Sequence, residues 1–296
     1  MSSPEPPLHR SYLYAPGSDP RLMRKALAAG ADAVILDLED AVAPATKASA
    51  RKHVAELLDE VAAGRMLTAS DVHVRINRSG DAYSRSDLDA VVRPGLDGIR
   101  LPKVESADAV RWIDDLLDDL ERRHGLEPGR IRLTLTVESA LGAVSIATLA
   151  TVSHRVVGFA IGAEDLLADL GAVGDDGLAT LHIRSELVLQ SRAAGLAPPV
   201  DSVHTNLDDE PGLLVAAQRA RALGFHGKSV IHPRQLDVVH GVFTPTDAEV
   251  ARAERIVAAA EAAGQDGVGA VALDGTFIDA AIVARARALL TLRSIP

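Results

Sequence analysis

The feature that most constrains this chain is the alternation of short apolar runs with longer amphipathic ones along most of its length. Tyr12–Ala15, Ala33–Leu38, Val72–Ile76, Gly98–Leu101, Arg132–Val137, Val156–Ile161 and Gly227–Ile231 read as strands, with a weaker one near Val200. Several are continuously apolar rather than alternating, which suits parallel strands covered on both faces. Helical periods fall between them. Lys47–Ala63 places Val54, Leu57, Leu58 and Val61 on one face, and Ala107–Arg122 does the same with Val110, Ile113, Leu117 and Leu120. Leu213–Leu223 precedes the last strand.

Strand–helix alternation of this kind predicts an α/β fold. With no linker rich in Gly, Ser or Pro, the simplest architecture is a (β/α)8 TIM barrel over residues 8–243 with a C-terminal helical extension over 244–296. In the extension, Thr246 and Glu249 form a capping box just after Pro245, and a further helix spans about Ala280 to Leu290. The competing topology is an open doubly wound sheet. No glycine-rich phosphate loop follows the first strand, which counts against dinucleotide binding.

Composition narrows the chemistry. The 296 residues contain no cysteine, which removes disulfides, thiolate zinc sites and cysteine nucleophiles. A net charge of −10 and 3% aromatic residues argue against nucleic-acid binding. The segment Met1–Pro7 is polar and proline-rich, and no apolar run reaches membrane-spanning length, so a cytoplasmic location without a membrane partner is expected.

A barrel of this type builds its active site at the C-terminal ends of its strands. Those ends carry Asp37, Glu39 and Asp40, then Arg75 and Asn77, Lys103 after Pro102, Glu138, Glu164 and Asp165, and His232 before Pro233. A ring of oxygen donors without cysteine favours a hard cation, magnesium or manganese. Glu138 and Asp165 are one strand–helix–strand unit apart and could share such an ion, or each could cap a helix. Arg75 within an apolar strand needs an anionic partner. A substrate carboxylate or enolate would serve, as would a structural pair with Asp37 or Glu39. Lys103 could meet a phosphate or the acid ring, or be a solvated strand end. Asp37 to Asp40 could hold metal-bound water or cap the loop. Asp279 is most simply a helix N-cap, and His232 a turn or packing residue.

The run Arg10–Gly17 resembles the opening motif of citrate lyase β-subunit-like proteins. Ala31–Val42, Val74–Asn77, Leu101–Glu105, Val137–Ala140, Ile161–Leu166 and Gly224–Gln235 follow in that family's order. This group belongs to the HpcH/HpaI aldolases. The resemblance implies a TIM barrel that cleaves or forms malyl-, methylmalyl- or citramalyl-CoA, or citryl groups on a carrier protein. It implies Mg²⁺ on Glu138 and Asp165, with Arg75 meeting the substrate and Glu138 beside it; Asp37 and Lys103 are further substrate-binding candidates from their strand-end positions. Glyoxylate or pyruvate would be the keto-acid product. It further implies that Asp279 reaches a neighbouring subunit's site as an acid/base in a homotrimer or dimer of trimers. Arg24, Lys25 and Lys103 could bind coenzyme A or be plain surface cations. Thioester hydrolysis, an aldolase acting on free hydroxy-keto acids, a subunit role in a citrate lyase complex, and binding without turnover are the alternatives.

Overall fold

The predicted strands are largely buried, and their residue types explain why. The first half of the chain runs β1 (Ser11–Pro16), α1 (Pro20–Leu27), β2 (Ala33–Asp37), α2 (Lys47–Ala62), β3 (Asp71–Arg75), α3 (Ser84–Val91), β4 (Gly98–Leu101), α4 (Ala107–His124) and β5 (Arg132–Val137). There follow α5 (Ala140–Val144), α6 (Ile146–Leu149), β6 (Val156–Ile161), α7 (Ala163–Asp169), α8 (Leu181–Ala193), α9 (Glu210–Leu223), β7 (Lys228–Val230) and α10 (Leu236–Phe243). Every residue of β2 and β4 is buried, as expected for strands enclosed on both faces. The computed structural model describes residues 8–173, 177–265 and 271–293.

The seven strands form one curled parallel sheet in the order β6-β5-β4-β3-β2-β1-β7. Consecutive strands therefore neighbour one another from β1 to β6, as short crossover helices favour. This is a TIM-barrel-like α/β fold. The weak strand expected near Val200 is reduced to two isolated pairings. Val200 pairs with Ala160 of β6, and Asp201 pairs with Lys228 of β7. Pro198 and Pro199 stand just before them and cannot donate to a ladder, which keeps the segment short.

The helices carry their own boundary signals. Asp19 caps α1 by accepting from the backbone of Arg21 at 2.9 Å and Leu22 at 3.1 Å. Ser106 caps α4, whose Val110, Ile113, Leu117 and Leu120 are all buried.

The chain divides into two units, Met1–His240 and Gly241–Pro296. The second contains α11 (Asp247–Gln265), β8 (Val271–Leu273), β9 (Thr276–Ile278) and α12 (Ala280–Arg293). Its core is Ala253, Ile256, Ile278 and Ala286. The β8–β9 hairpin was not anticipated from the sequence. Its signal is the turn Asp274-Gly275, whose φ values of 50° and 74° fit a two-residue hairpin loop. No helix among the described residues is long and apolar enough to cross a membrane.

Candidate active site

The parallel register of β2 and β3 sets Asp37 beside Arg75. Arg75 Nε donates to Asp37 Oδ1 at 2.7 Å and Nη2 to Oδ2 at 2.6 Å, a bidentate pair. Asp37 is 1% exposed and also accepts from the backbone of Glu39 and Ala41. Arg75 Nη1 lies 3.0 Å from Glu39 Oε2, off hydrogen-bonding geometry, and the guanidinium sits 5.1 Å from the Tyr14 ring centroid. Burial, the largest single effect, opposes the Arg75 charge, but the Asp37 hydrogen bonds and the charges of Asp37 and Glu39 together outweigh it and raise the pKa. So the structural pairing foreseen as one alternative is present. It fixes the guanidinium and leaves the N–H groups that Asp37 and Glu39 do not engage.

Lys103 follows Pro102 at the end of β4 with φ 50°, a left-handed backbone that a lysine rarely adopts. The unusual backbone coincides with a specific contact. The Lys103 N–H donates to Glu138 Oε1 at 2.5 Å. Its ammonium lies 2.7 Å from Glu39 Oε1 and 3.4 Å from Asp40 Oδ1. Of the options open for Lys103, the side chain takes the acid ring.

Glu138, at the end of β5, is 5% exposed. Burial, then the Glu39 charge, push its pKa up to about 7, with Asp165 adding to the effect. Glu39 is also raised to about 7, chiefly by burial, against the pull of Arg75 and Lys103. Gly162, after β6, is packed so closely that a Cβ there would stand 2.4 Å from Glu138 Oε2. Asp165 is exposed in the first turn of α7. Ser202 Oγ accepts the Ala163 N–H at 3.1 Å and fixes the start of that helix.

This donor set fits a divalent cation. A buried carboxylate and an exposed one repel each other across the ends of adjacent strands, and a cation between them removes that repulsion. Among the described residues, no cluster of three or more His, Asp or Glu could hold a metal by itself. Magnesium is commonly held by one or two carboxylates with water and substrate completing the shell, so two protein donors suffice.

Four supporting residues, Lys47, Arg51, Asn77 and Asp87, were not foreseen in that role. Lys47 is buried, and its ammonium donates to Leu38 O at 2.8 Å, Glu39 O at 3.0 Å and Asn77 Oδ1 at 2.6 Å. Asp87 in turn accepts from Asn77 Nδ2 at 2.6 Å and Arg51 Nε at 2.7 Å. Together they brace the loop that carries Glu39 and Asp40. The available signal was position, because Lys47, Ala50 and Val54 share one helical face, the buried one.

Most of the remaining candidates have structural partners. In the second unit, Asp279 caps α12 by accepting the Ile282 N–H at 3.0 Å. His232 Nδ1 accepts from the Arg234 backbone at 3.2 Å. Arg24 pairs with Glu60 on the surface, and Lys25 is exposed.

Known proteins are similar to this chain over nearly its whole length. The chain is 38% identical over 286 residues to the citrate lyase subunit beta of Leuconostoc mesenteroides subsp. cremoris, covering 96% of this chain and 93% of that protein. It is 36% identical over 282 residues to a (3S)-malyl-CoA thioesterase of Cereibacter sphaeroides, covering 95% and 93%. The CitE protein of Mycobacterium tuberculosis, solved with magnesium, acetoacetate and coenzyme A, superposes with a TM-score of 0.77 at 34% identity, covering 97% of this chain and 98% of that one. The sequence profile of the HpcH/HpaI aldolase/citrate lyase family matches residues 10–233, and the chain belongs to that family.

Proposed function

We propose that this protein is a magnesium-dependent carbon–carbon lyase. Its substrate would be a β-hydroxyacyl-CoA of the malyl, methylmalyl or citramalyl type, cleaved to glyoxylate or pyruvate and an acyl-CoA. The observation that carries this reading is the placing of the Asp37-clamped Arg75, Glu138 and Asp165 at the C-terminal ends of β3, β5 and β6, close enough that Arg75 and Asp165 both act on the Glu138 carboxyl. The magnesium complex of the CitE relative supports it. The two pairings at Val200 and Asp201 support reading the curled sheet as a closed (β/α)8 barrel, with those residues as its eighth strand.

Glu138 and Asp165 would hold Mg²⁺, which supplies Lewis acidity and a template for the hydroxy-carboxylate end of the substrate. Transfer of the hydroxyl proton to solvent water would leave an alkoxide whose oxygen lone pair forms the keto-acid carbonyl as the carbon–carbon bond breaks. The electron pair passes to the thioester as an enolate, and the oriented Arg75 N–H groups stabilise its oxyanion. Lys103 neutralises the Glu39–Asp40 edge that would otherwise repel an anionic substrate. Protonation of the enolate carbon completes the acyl-CoA, and Asp279 from a neighbouring copy in a homotrimer or dimer of trimers is the proposed donor. In that assembly the extension at 244–296 would close the neighbour's site. A cytoplasmic location goes with this reading.

The thioesterase relative favours a second outcome, in which water cleaves the thioester. The citrate lyase relative favours a third, a carrier-bound citryl substrate. One assay separates them. Malyl-CoA, β-methylmalyl-CoA and citramalyl-CoA are incubated with and without Mg²⁺, and keto acid, acyl-CoA and free CoA are followed separately. The lyase yields keto acid and acyl-CoA together, and Glu138→Ala and Asp165→Ala each abolish both. Free CoA without acyl-CoA would assign the thioesterase. Product appearing only with a phosphopantetheinylated carrier protein would assign the complex subunit. Unchanged turnover in Glu138→Ala would sink the mechanism.

A further inference from the structure

The segment 197–202, which bridges β6 and β7, carries an ionic cluster that the proposed chemistry does not use. Asp201 and Lys228 are both buried, and Lys228 Nζ donates to Asp201 Oδ2 at 2.6 Å. Arg184 of α8 donates to the other oxygen of Asp201 and, through Nε, to Thr180 Oγ1 at 3.0 Å. Burial would raise the Asp201 pKa, but Lys228 and Arg184 outweigh it and hold the carboxyl below its usual range. One ionised carboxylate is thus gripped from a helix and from a strand at once. Well-packed apolar residues often stabilise a protein as well as a buried ion pair does, so a cluster of this kind is of most use where it fixes geometry.

What that geometry serves lies one residue further on. Side chains alternate along an extended segment. Val200 packs with Tyr12, Ile35 and Ala160, Asp201 meets α8, and Ser202 turns back to the start of α7. The backbone of Asp201 is tied to β7 as well, its N–H donating to Gly227 O at 2.9 Å and its carbonyl accepting the Ser229 N–H at 2.9 Å. From this anchored segment two bonds reach across to the end of β6. Val200 O accepts the Ile161 N–H at 3.1 Å, and the buried Ser202 Oγ accepts the Ala163 N–H at 3.1 Å. They flank Gly162, the N-cap position of α7, which has no side chain to offer the open N–H groups of the helix start. Nor is there room for one, since a Cβ would meet Glu138 Oε2. Ser202 therefore supplies, from a different segment, the oxygen that α7 lacks at its start. The turn it orders carries Asp165.

We propose that Ser202, and the Asp201–Lys228–Arg184 cluster behind it, are positioning residues for Asp165, given the reading of Glu138 and Asp165 as the Mg²⁺ pair on which this rests. The ionic cluster locks the segment to α8 and β7, and Ser202 passes that lock to the first turn of α7. Without the Ser202 hydroxyl the Ala163 N–H loses its partner, and the turn that carries Asp165 is free to shift away from Glu138.

The test is calorimetric titration of the full-length protein with Mg²⁺, alongside its thermal unfolding. Ser202→Ala is expected to weaken Mg²⁺ binding about tenfold. Ser202→Thr and Ser202→Val have the same shape and share any cost of crowding, so the pair isolates the hydroxyl. Threonine is expected to bind Mg²⁺ about tenfold more tightly than valine. Asp201→Asn is expected to weaken Mg²⁺ binding as Ser202→Ala does. Should it fail to fold, Arg184→Met, at the less buried end of the cluster, takes its place. In the metal-free protein the Ala163 amide is expected to exchange at least about tenfold faster in Ser202→Ala, a readout that does not involve the metal. Lower thermal stability with unchanged Mg²⁺ affinity, or equal affinities in the threonine and valine variants, would overturn the positioning role and leave the metal pair standing. Asp165→Asn is the control for that pair. If it too binds Mg²⁺ like the wild type, the metal reading is overturned and the positioning role with it.

Discussion

At the scale of single residues, the Glu138 carboxyl is held near the middle of its titration at neutral pH. Its pKa rises from 4.5 to about 7 on folding, so between those values the folded protein binds more protons than the unfolded one. This group's contribution to stability therefore falls as pH rises through that window. A cation that binds only the ionised carboxylate acts in the opposite sense. Saturating Mg²⁺ is thus expected to raise the unfolding temperature more at pH 8 than at pH 6, as differential scanning fluorimetry would reveal. An equal shift at both pH values would remove Glu138 from the metal site. Gly162→Ala tests the same carboxylate from its other side. The added methyl group must displace Glu138, so a loss of about 1–3 kcal/mol in urea unfolding is expected, with Mg²⁺ affinity reduced at least about tenfold by calorimetry. The strand-end positions of Glu138, Asp165 and Arg75 were legible because strand ends can be located from apolar runs. The grip of Lys103 on Glu138 was not, because it runs through a left-handed backbone that the residue type does not announce.

At the scale of elements, local chemistry was the most readable part of the chain. The Thr246–Glu249 box forms as its spacing predicts, with the Thr246 N–H donating to Glu249 Oε2 at 2.8 Å and the Glu249 N–H to Thr246 Oγ1 at 3.2 Å. Thr246→Ala is expected to destabilise α11 by about 1 kcal/mol, measurable by chemical denaturation followed by helical circular dichroism. The β8–β9 hairpin escaped notice because its strands are three residues each, too short for a period to register. The segment at Val200 was seen only faintly for a related reason. Its pairing depends on partners far away in sequence, Ala160 and Lys228, and on two prolines that limit its extent. The run Gly98–Leu101 was read as an apolar strand, yet Arg100 turns one of its interior positions into a buried charge. Side-chain counterions are set by three-dimensional neighbours, and a strand pattern does not contain them.

At the scale of the whole molecule, the order of the sheet follows from the regular alternation of strands and helices, which is why it could be read in advance. The family match over residues 10–233 spans nearly the same stretch as the larger unit. One feature of that unit bears on how it breathes. Five register pairs join β2 to each of its neighbours, whereas, among the described residues, the edges at β6 and β7 are bridged by the short irregular segment from Ala197 to Asp201. A hoop opens at its clasp. Native-state amide exchange is therefore expected to proceed through lower-energy openings at Val200 and Asp201 than at Ile35 and Leu36, by at least about tenfold in rate. Mass-spectrometric or NMR exchange would read this directly, and uniform protection around the sheet would contradict it. The clasp lies beside Ile161, whose N–H donates to Val200 O at 3.1 Å, only four residues before Asp165. Ligand occupancy at Asp165 should then slow exchange at the clasp, so breathing of the sheet and filling of the site would be two readings of one equilibrium.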